Sequence, residues 1–181
     1  MEDIMEREGI VTVKGNAVTL VGPELKTGEK SPDFTVVNKE LKEVTLGDFE
    51  GKVKIISVTP SLDTPVCEAQ TRRFNEEAAK LEGAAIINIS MDLPFAISRF
   101  CTTAGIDKIE TLSDHRDASF ASAYGVLIKE LRLHARSIFV LDADNTLVYQ
   151  EVVGELTDHP DYDKALEAAN SLLNRKTQAA A

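Results

Sequence analysis

The chain has 181 residues, 43% of them hydrophobic and 28% charged, the composition of a globular domain long enough to bury a core without disulfide or metal staples. Its formal net charge of −10 excludes the clustered basic surface that nucleic-acid backbones and anionic lipids require, and the doublets Arg72-Arg73 and Arg175-Lys176 read as solvated helix surface. No apolar run approaches the roughly 18 residues of a membrane span, and the acidic start Met1–Glu6 lacks the basic-then-apolar order of a signal peptide, so the expectation is a cytoplasmic protein, in a compartment where disulfides are transient.

A β-hairpin opens the chain: Ile10–Val13 and Val18–Val21 are β-rich and flank Gly15-Asn16. Gly22-Pro23 breaks it, and Val44–Phe49 forms a short ordered stretch. The apolar run Val53–Val58 predicts a buried strand. A helix follows from about Pro65 to Leu81, with Gly83 near its end. Ala84–Ile89 is the next strand, Leu93–Ala104 the next helix with Gly105 as its stop, and Asp117–Tyr124 a third helix. Ser137–Leu141 and Thr146–Gln150 pair around Asp144-Asn145, and a helix over Tyr162–Leu173 closes the domain. Strands alternating with helices predict a βαβ core, and the late hairpin adds an antiparallel edge. The expected fold class is therefore α/β, a central mixed β-sheet flanked by helices. One domain spans 10–174, with tails at 1–9 and 175–181.

The turn leaving Val58 is where such a sheet places its chemistry. Thr64 is suited to the N-cap and Pro65 to the first helical position, where a missing N–H costs nothing. Cys67 then falls third in the helix, among free N–H groups and at the positive end of the dipole, an environment expected to favour a thiolate. Asp63 and Glu68 oppose this, so a nearby cation is required, and Arg136 is the candidate. Plain packing stays open for both cysteines. Cys67, Phe74, Ala78 and Leu81 share one stripe; Ile97, Phe100, Cys101 and Ala104 share another; and cysteine is among the most buried residue types.

Pro60-Ser61-Leu62-Asp63-Thr64-Pro65-Val66-Cys67 matches the P-x-x-x-T-x-x-C signature of the peroxiredoxins, and the longer string TPSLDTPVCEAQTRRFN resembles their thiol peroxidase branch. Met91–Ala96 leading to Ser98–Cys101 is similar to that branch's resolving-cysteine helix. Thr111–Asp114, Ala123–Val126, Ala135-Arg136 and Pro160–Tyr162 resemble its later segments, so the likeness runs from about Val11 to Leu173. It implies a thioredoxin-like fold. It also implies that Cys67 is the peroxidatic nucleophile and that Cys101 resolves it through an intrachain disulfide. Thr64 is then a hydrogen-bonding partner of the thiolate or the peroxide. Arg136 stabilises negative charge, and Pro60 shields the pocket. The implied activity is reduction of hydrogen peroxide and organic hydroperoxides by a homodimer recycled by thioredoxin, with no cofactor. Lys129–His134 departs from the family pattern in being shorter and more basic, which bears on that loop and on substrate preference rather than on the chemistry.

Other readings fit less well. A thioredoxin-like oxidoreductase requires Cys-x-x-Cys, which is absent. The two cysteines with His115, His134 and His159 lack zinc-ligand spacing. A non-enzymatic redox sensor or holdase would use the same cysteines with slow turnover.

Overall fold

A computed structural model describes residues 5–181. Its centre is β5 (Val53–Val58), buried along its whole length. Alternate side chains serve two cores. Val53 and Ile55 join Phe74, Ile97, Ile138, Val140 and Leu166 on one face. Ile56 and Val58 join Phe34, Phe120, Tyr124 and Phe139 on the other. The period of two along a strand is the reason. It also places Arg136, in step with Ile138 and Val140 of β10 (Ser137–Leu141), toward the first face.

β5 pairs in parallel with β6 (Ala84–Ser90), and β6 in parallel with β7 (Glu110–Ser113). On the other side β10 is antiparallel to β5 and to β11 (Leu147–Val152). The hairpin β3 (Thr35–Val37) and β4 (Glu43–Thr45) extends the far edge from β7. The seven-stranded order is β11-β10-β5-β6-β7-β3-β4, the mixed sheet expected. A smaller sheet joins β1 (Glu6–Val13), β2 (Asn16–Val21), β8 (Leu127–Ile128) and β9 (Leu133–His134).

The helices are α1 (Pro65–Ala78), α2 (Pro94–Ala104), α3 (Ser119–Ala123) and α4 (Tyr162–Ala179). Phe74 of α1 is wholly buried and meets Tyr162 of α4 edge-on, ring centroids 5.7 Å apart. Truncating such a phenylalanine to alanine costs about 3–5 kcal/mol. Lys54 is also buried in β5, and its ammonium holds the β10–β11 turn through Asn145 Oδ1 (2.5 Å) and the Asp142 carbonyl (3.3 Å). Burial lowers its pKa, against the pull of Asp142 and Asp144.

Several boundaries differ from the sequence reading. β1 starts at Glu6 rather than Ile10, because its register with β2 shifts between Arg7 and Val11 and Gly9 takes a positive φ there. Alternation is lost at such a bulge. α1 ends at Ala78, ahead of Leu81, which turns back into the core. α4 continues to Ala179 through polar helix-forming residues. α3 starts at Ser119 because Asp114 accepts from the Phe120 and Ala121 amides (3.0 and 2.9 Å). Lys129–His134 folds into the β8–β9 hairpin. There His134 is buried against Asp114 (3.0 Å) and Lys129 pairs with Glu6 (2.6 Å).

Candidate active site

The turn from β5 to α1 is anchored from the neighbouring strand. Asp92, just beyond β6, accepts from Ser61 Oγ and from the Leu62 amide, both at 2.7 Å. Pro60 is buried within this turn. Thr64 occupies the N-cap position with extended backbone and Pro65 follows inside the helix, so Cys67 is the third residue of α1, as expected. The side chain of Thr64 departs from expectation. It is exposed, makes no cap hydrogen bond, and donates its hydroxyl proton to the Ser61 carbonyl at 3.1 Å. The tight Asp92-held turn brings that carbonyl within reach, and it outcompetes the amides of the first helical turn.

Cys67 is 0% exposed and unbonded to Cys101. Its sulfur accepts from Arg136 Nη2 at 3.4 Å. The guanidinium is itself buried and spends its other donors on the Leu156 carbonyl (Nε, 3.0 Å) and on Gln70 Oε1 (Nη1, 2.9 Å). None of these partners is a carboxylate. A buried cation without a counter-ion is costly, and among its hydrogen-bond partners in the described residues the group able to carry a negative charge is the Cys67 sulfur. Gln70 is held in turn by donating to Ser57 Oγ at 2.8 Å. The opposing acids are disengaged: Glu68 pairs with Arg72 at 2.8 Å, and Asp63 faces solvent.

Sequence reasoning missed Gln70, the Leu156 carbonyl, Asp92 and Tyr162. A signal for Gln70 was available, since residues 67, 70, 71 and 74 form one buried helical stripe with two polar members. A polar residue three positions from a buried cysteine shares its face. Tyr162, at the start of α4, lies near Cys67 and Arg136; burial pushes its phenol pKa up, and the Arg136 charge pulls it back.

Cys101 is the eighth residue of the eleven-residue α2 and is 5% exposed. Its sulfur lies 3.2 Å from Thr111 Oγ1 on β7. A cavity of about 370 Å³ separates the two cysteine helices, lined among others by Leu62, Arg72, Asp92, Arg99 and Phe100. It flanks the β5–α1 turn, and Cys67 is not among its lining residues. The histidines are engaged by other side chains: His134 by Asp114, His115 by Ser113, His159 by Tyr162. Among the described residues no group of three or more His, Cys, Asp or Glu is placed to hold a metal, and no helix is long and apolar enough to cross a membrane.

Residues 26–166 match the Redoxin family model. The chain is 61% identical over 163 residues to a thiol peroxidase of Bacillus subtilis (strain 168), covering 90% of this chain and 98% of that one. It is 57% identical, with the same coverage, to a thiol peroxidase of Halalkalibacterium halodurans. Among solved structures, a peroxiredoxin-like protein from Aquifex aeolicus superimposes with a TM-score of 0.85 at 42% identity, covering 91% of this chain and 98% of that one.

Proposed function

Since the chain belongs to the redoxin family and is a peroxidase of the thiol peroxidase type, we propose that Cys67 is its peroxidatic nucleophile, Cys101 its resolving thiol and Arg136 the cation serving the first step. The observation that carries this is the buried Arg136 guanidinium, 3.4 Å from Cys67 Sγ and, among the described residues, without a carboxylate partner.

In the first step the Cys67 thiolate attacks one oxygen of the hydroperoxide. An S–O bond forms, the O–O bond breaks, and the second oxygen leaves as water or an alcohol after taking a proton. Negative charge moves from sulfur to the leaving oxygen, and a guanidinium already fixed by Gln70 and Leu156 stabilises it without reorganising. Arginine suits this better than lysine, because its planar fork can address sulfur and peroxide together. Thr64 has its proton committed to Ser61, so it offers only oxygen lone pairs. It therefore receives the O–H end of the peroxide rather than donating to the thiolate. Pro60 closes the pocket floor.

In the second step the Cys101 sulfur attacks the Cys67 sulfenic acid; an S–S bond forms, the S–O bond breaks, and water leaves. An external dithiol of the thioredoxin type then reduces the disulfide by exchange and is itself oxidised. A cytoplasmic, homodimeric enzyme completes the proposal. Leu93 and Phe95, 54% and 68% exposed at the start of α2, supply apolar surface for the second copy. Sedimentation of wild type against Phe95→Glu tests that surface.

The mechanism is tested by following peroxide consumption coupled to thioredoxin oxidation, with mass spectrometry of the oxidised chain. Turnover with an intrachain Cys67–Cys101 link is expected. Slow, stoichiometric oxidation without turnover would favour a redox sensor, and only chain-to-chain links would reassign the resolving step.

A further inference from the structure

The two sulfurs face different strands. Cys67 faces Arg136 at the head of β10, and Cys101 faces Thr111 on β7. In the sheet order β10-β5-β6-β7 these strands are three steps apart, about 14 Å at about 4.8 Å per step. A disulfide requires Cα atoms within about 7 Å. Cys101 therefore has to leave Thr111 before it attacks Cys67.

Thr111 is 2% exposed, and among the described residues its hydroxyl has one hydrogen-bond partner, the Cys101 sulfur. Backbone pairing with Asn88 fixes Thr111 on β7, so it does not follow Cys101 outward. α2 is short enough to open. Helices below about 12–15 residues are marginal on their own, and α2 has eleven. Its last turn is tied from α1, where Arg72 Nη1 donates to the Ala104 carbonyl at 2.7 Å and Asn75 Nδ2 to the Gly105 carbonyl at 3.4 Å. Of these ties, the Thr111 contact alone acts on the sulfur.

We propose that the Thr111 hydroxyl is a latch on the resolving cysteine: it holds Cys101 in the folded helix, and its release is part of the resolving step. This rests on the reading of Cys101 as the resolving thiol. The latch sets how long the Cys67 sulfenic acid persists before it becomes a disulfide, and so how long it is open to a second peroxide. In that side reaction a further peroxide oxidises the sulfenic acid to sulfinic acid and is itself reduced to water or an alcohol. Thr111→Val keeps the shape of the side chain and removes the hydroxyl, leaving the folded thiol without its partner. The loss of one neutral hydrogen bond corresponds to about a 2- to 10-fold shift toward the open helix.

The experiment is rapid mixing of reduced enzyme with hydrogen peroxide, with separate readouts of sulfenic acid, disulfide and sulfinic acid. Thr111→Val is expected to form sulfenic acid at the wild-type rate, to close the disulfide about 2- to 10-fold faster, and to accumulate less sulfinic acid. Thr111→Ser, which keeps the hydroxyl, is expected to stay close to wild type. Hydrogen exchange supplies a second measure independent of chemistry: the Ile106 amide, bonded to the Cys101 carbonyl at 2.9 Å, is expected to exchange faster in Thr111→Val. Unchanged or slower disulfide closure in Thr111→Val, with unchanged Ile106 exchange, overturns the latch. Cys101→Ser distinguishes that failure from failure of the underlying reading: Cys67 is then the one cysteine left in the chain, so undiminished thioredoxin-coupled turnover in Cys101→Ser would remove Cys101 from the mechanism altogether.

Discussion

The two cysteines are both buried and both helical, yet their surroundings are opposite. Cys67 lies third in α1, where the helix dipole favours an anion, and a buried guanidinium touches its sulfur. Cys101 lies toward the end of α2, where the dipole disfavours an anion, and a single neutral hydroxyl touches its sulfur. Burial therefore does not distinguish the two cysteines. Placement on the helix and the charge of the facing side chain do. The first site is built to stabilise charge where it stands. On the proposed mechanism the second holds a thiol until its helix opens.

The comparison breaks most completely at Cys67 itself. Cys67→Ser is expected to lower peroxide reduction by about 10³-fold or more, as losing a nucleophile does elsewhere, measured as hydroperoxide consumed with thioredoxin as reductant. Retained activity would transfer the chemistry to Cys101. Cys101→Ser is expected to leave the first turnover intact and to stall recycling, with sulfenic acid trapped on Cys67 in the mass spectrum.

Removing the cation makes the two sites more alike. Arg136→Met should slow sulfenic acid formation by about 10²–10³-fold, the size of losing one preorganised charge-stabilising donor, measured in a single turnover with hydrogen peroxide. Arg136→Lys is expected to fall between Arg136→Met and wild type in the same rate, keeping the charge but lacking the second aligned donor. An unchanged rate in Arg136→Met would make the arginine structural only. Gln70→Leu removes the clamp rather than the charge. A hydrogen bond to a charged group is worth about 1.5–3 kcal/mol, so a loss of roughly 10-fold or more in the same single-turnover rate is expected, with Cys101 still closing the disulfide.

The smallest effect lies furthest from sulfur. Glu155 accepts from Thr12 Oγ1 (2.7 Å) and from the Lys14 and Gly15 amides (2.9 and 3.0 Å), joining the N-terminal hairpin to the segment whose Leu156 carbonyl holds Arg136. The Gly15 amide, with the other donors, lowers its pKa from 4.5 to about 2. The folded chain therefore favours the ionised form more than the unfolded chain does. That contribution is complete above pH 4.5 and is lost as pH falls through about 2. Urea unfolding at stepped pH should show wild type losing stability over that window more steeply than Glu155→Gln. Parallel curves would mean that the hairpin clamp does not depend on the charge.

Much of this molecule is legible in single segments. The apolar run Val53–Val58 gave a strand buried on both faces, and Thr64-Pro65 and Gly105 marked a helix start and stop that the structure keeps. With them came the third helical position of Cys67, because caps, breakers and periodicity act through the local backbone. Most short elements escaped notice, apart from the ordered stretch at Val44–Phe49 that overlaps β4. β3, β7, β8 and β9 have two to four residues each, too few for a period to declare itself, and they exist because a neighbouring strand supplies their hydrogen bonds.

What the sequence could name but not place, the tertiary structure decided. Arg136 reaches Cys67 across 69 positions because β10 lies beside β5 and its alternation turns residue 136 toward α1. Gln70 and the Leu156 carbonyl clamp the guanidinium from α1 and from the segment beyond β11. The Thr64 hydroxyl turned to Ser61 because Asp92, on another connection, tightened the turn beneath it. Thr111 meets Cys101 because α2 packs over β7. Each of these is a meeting of side chains remote in sequence or held by a remote anchor, set by strand order and register, and no local propensity encodes those.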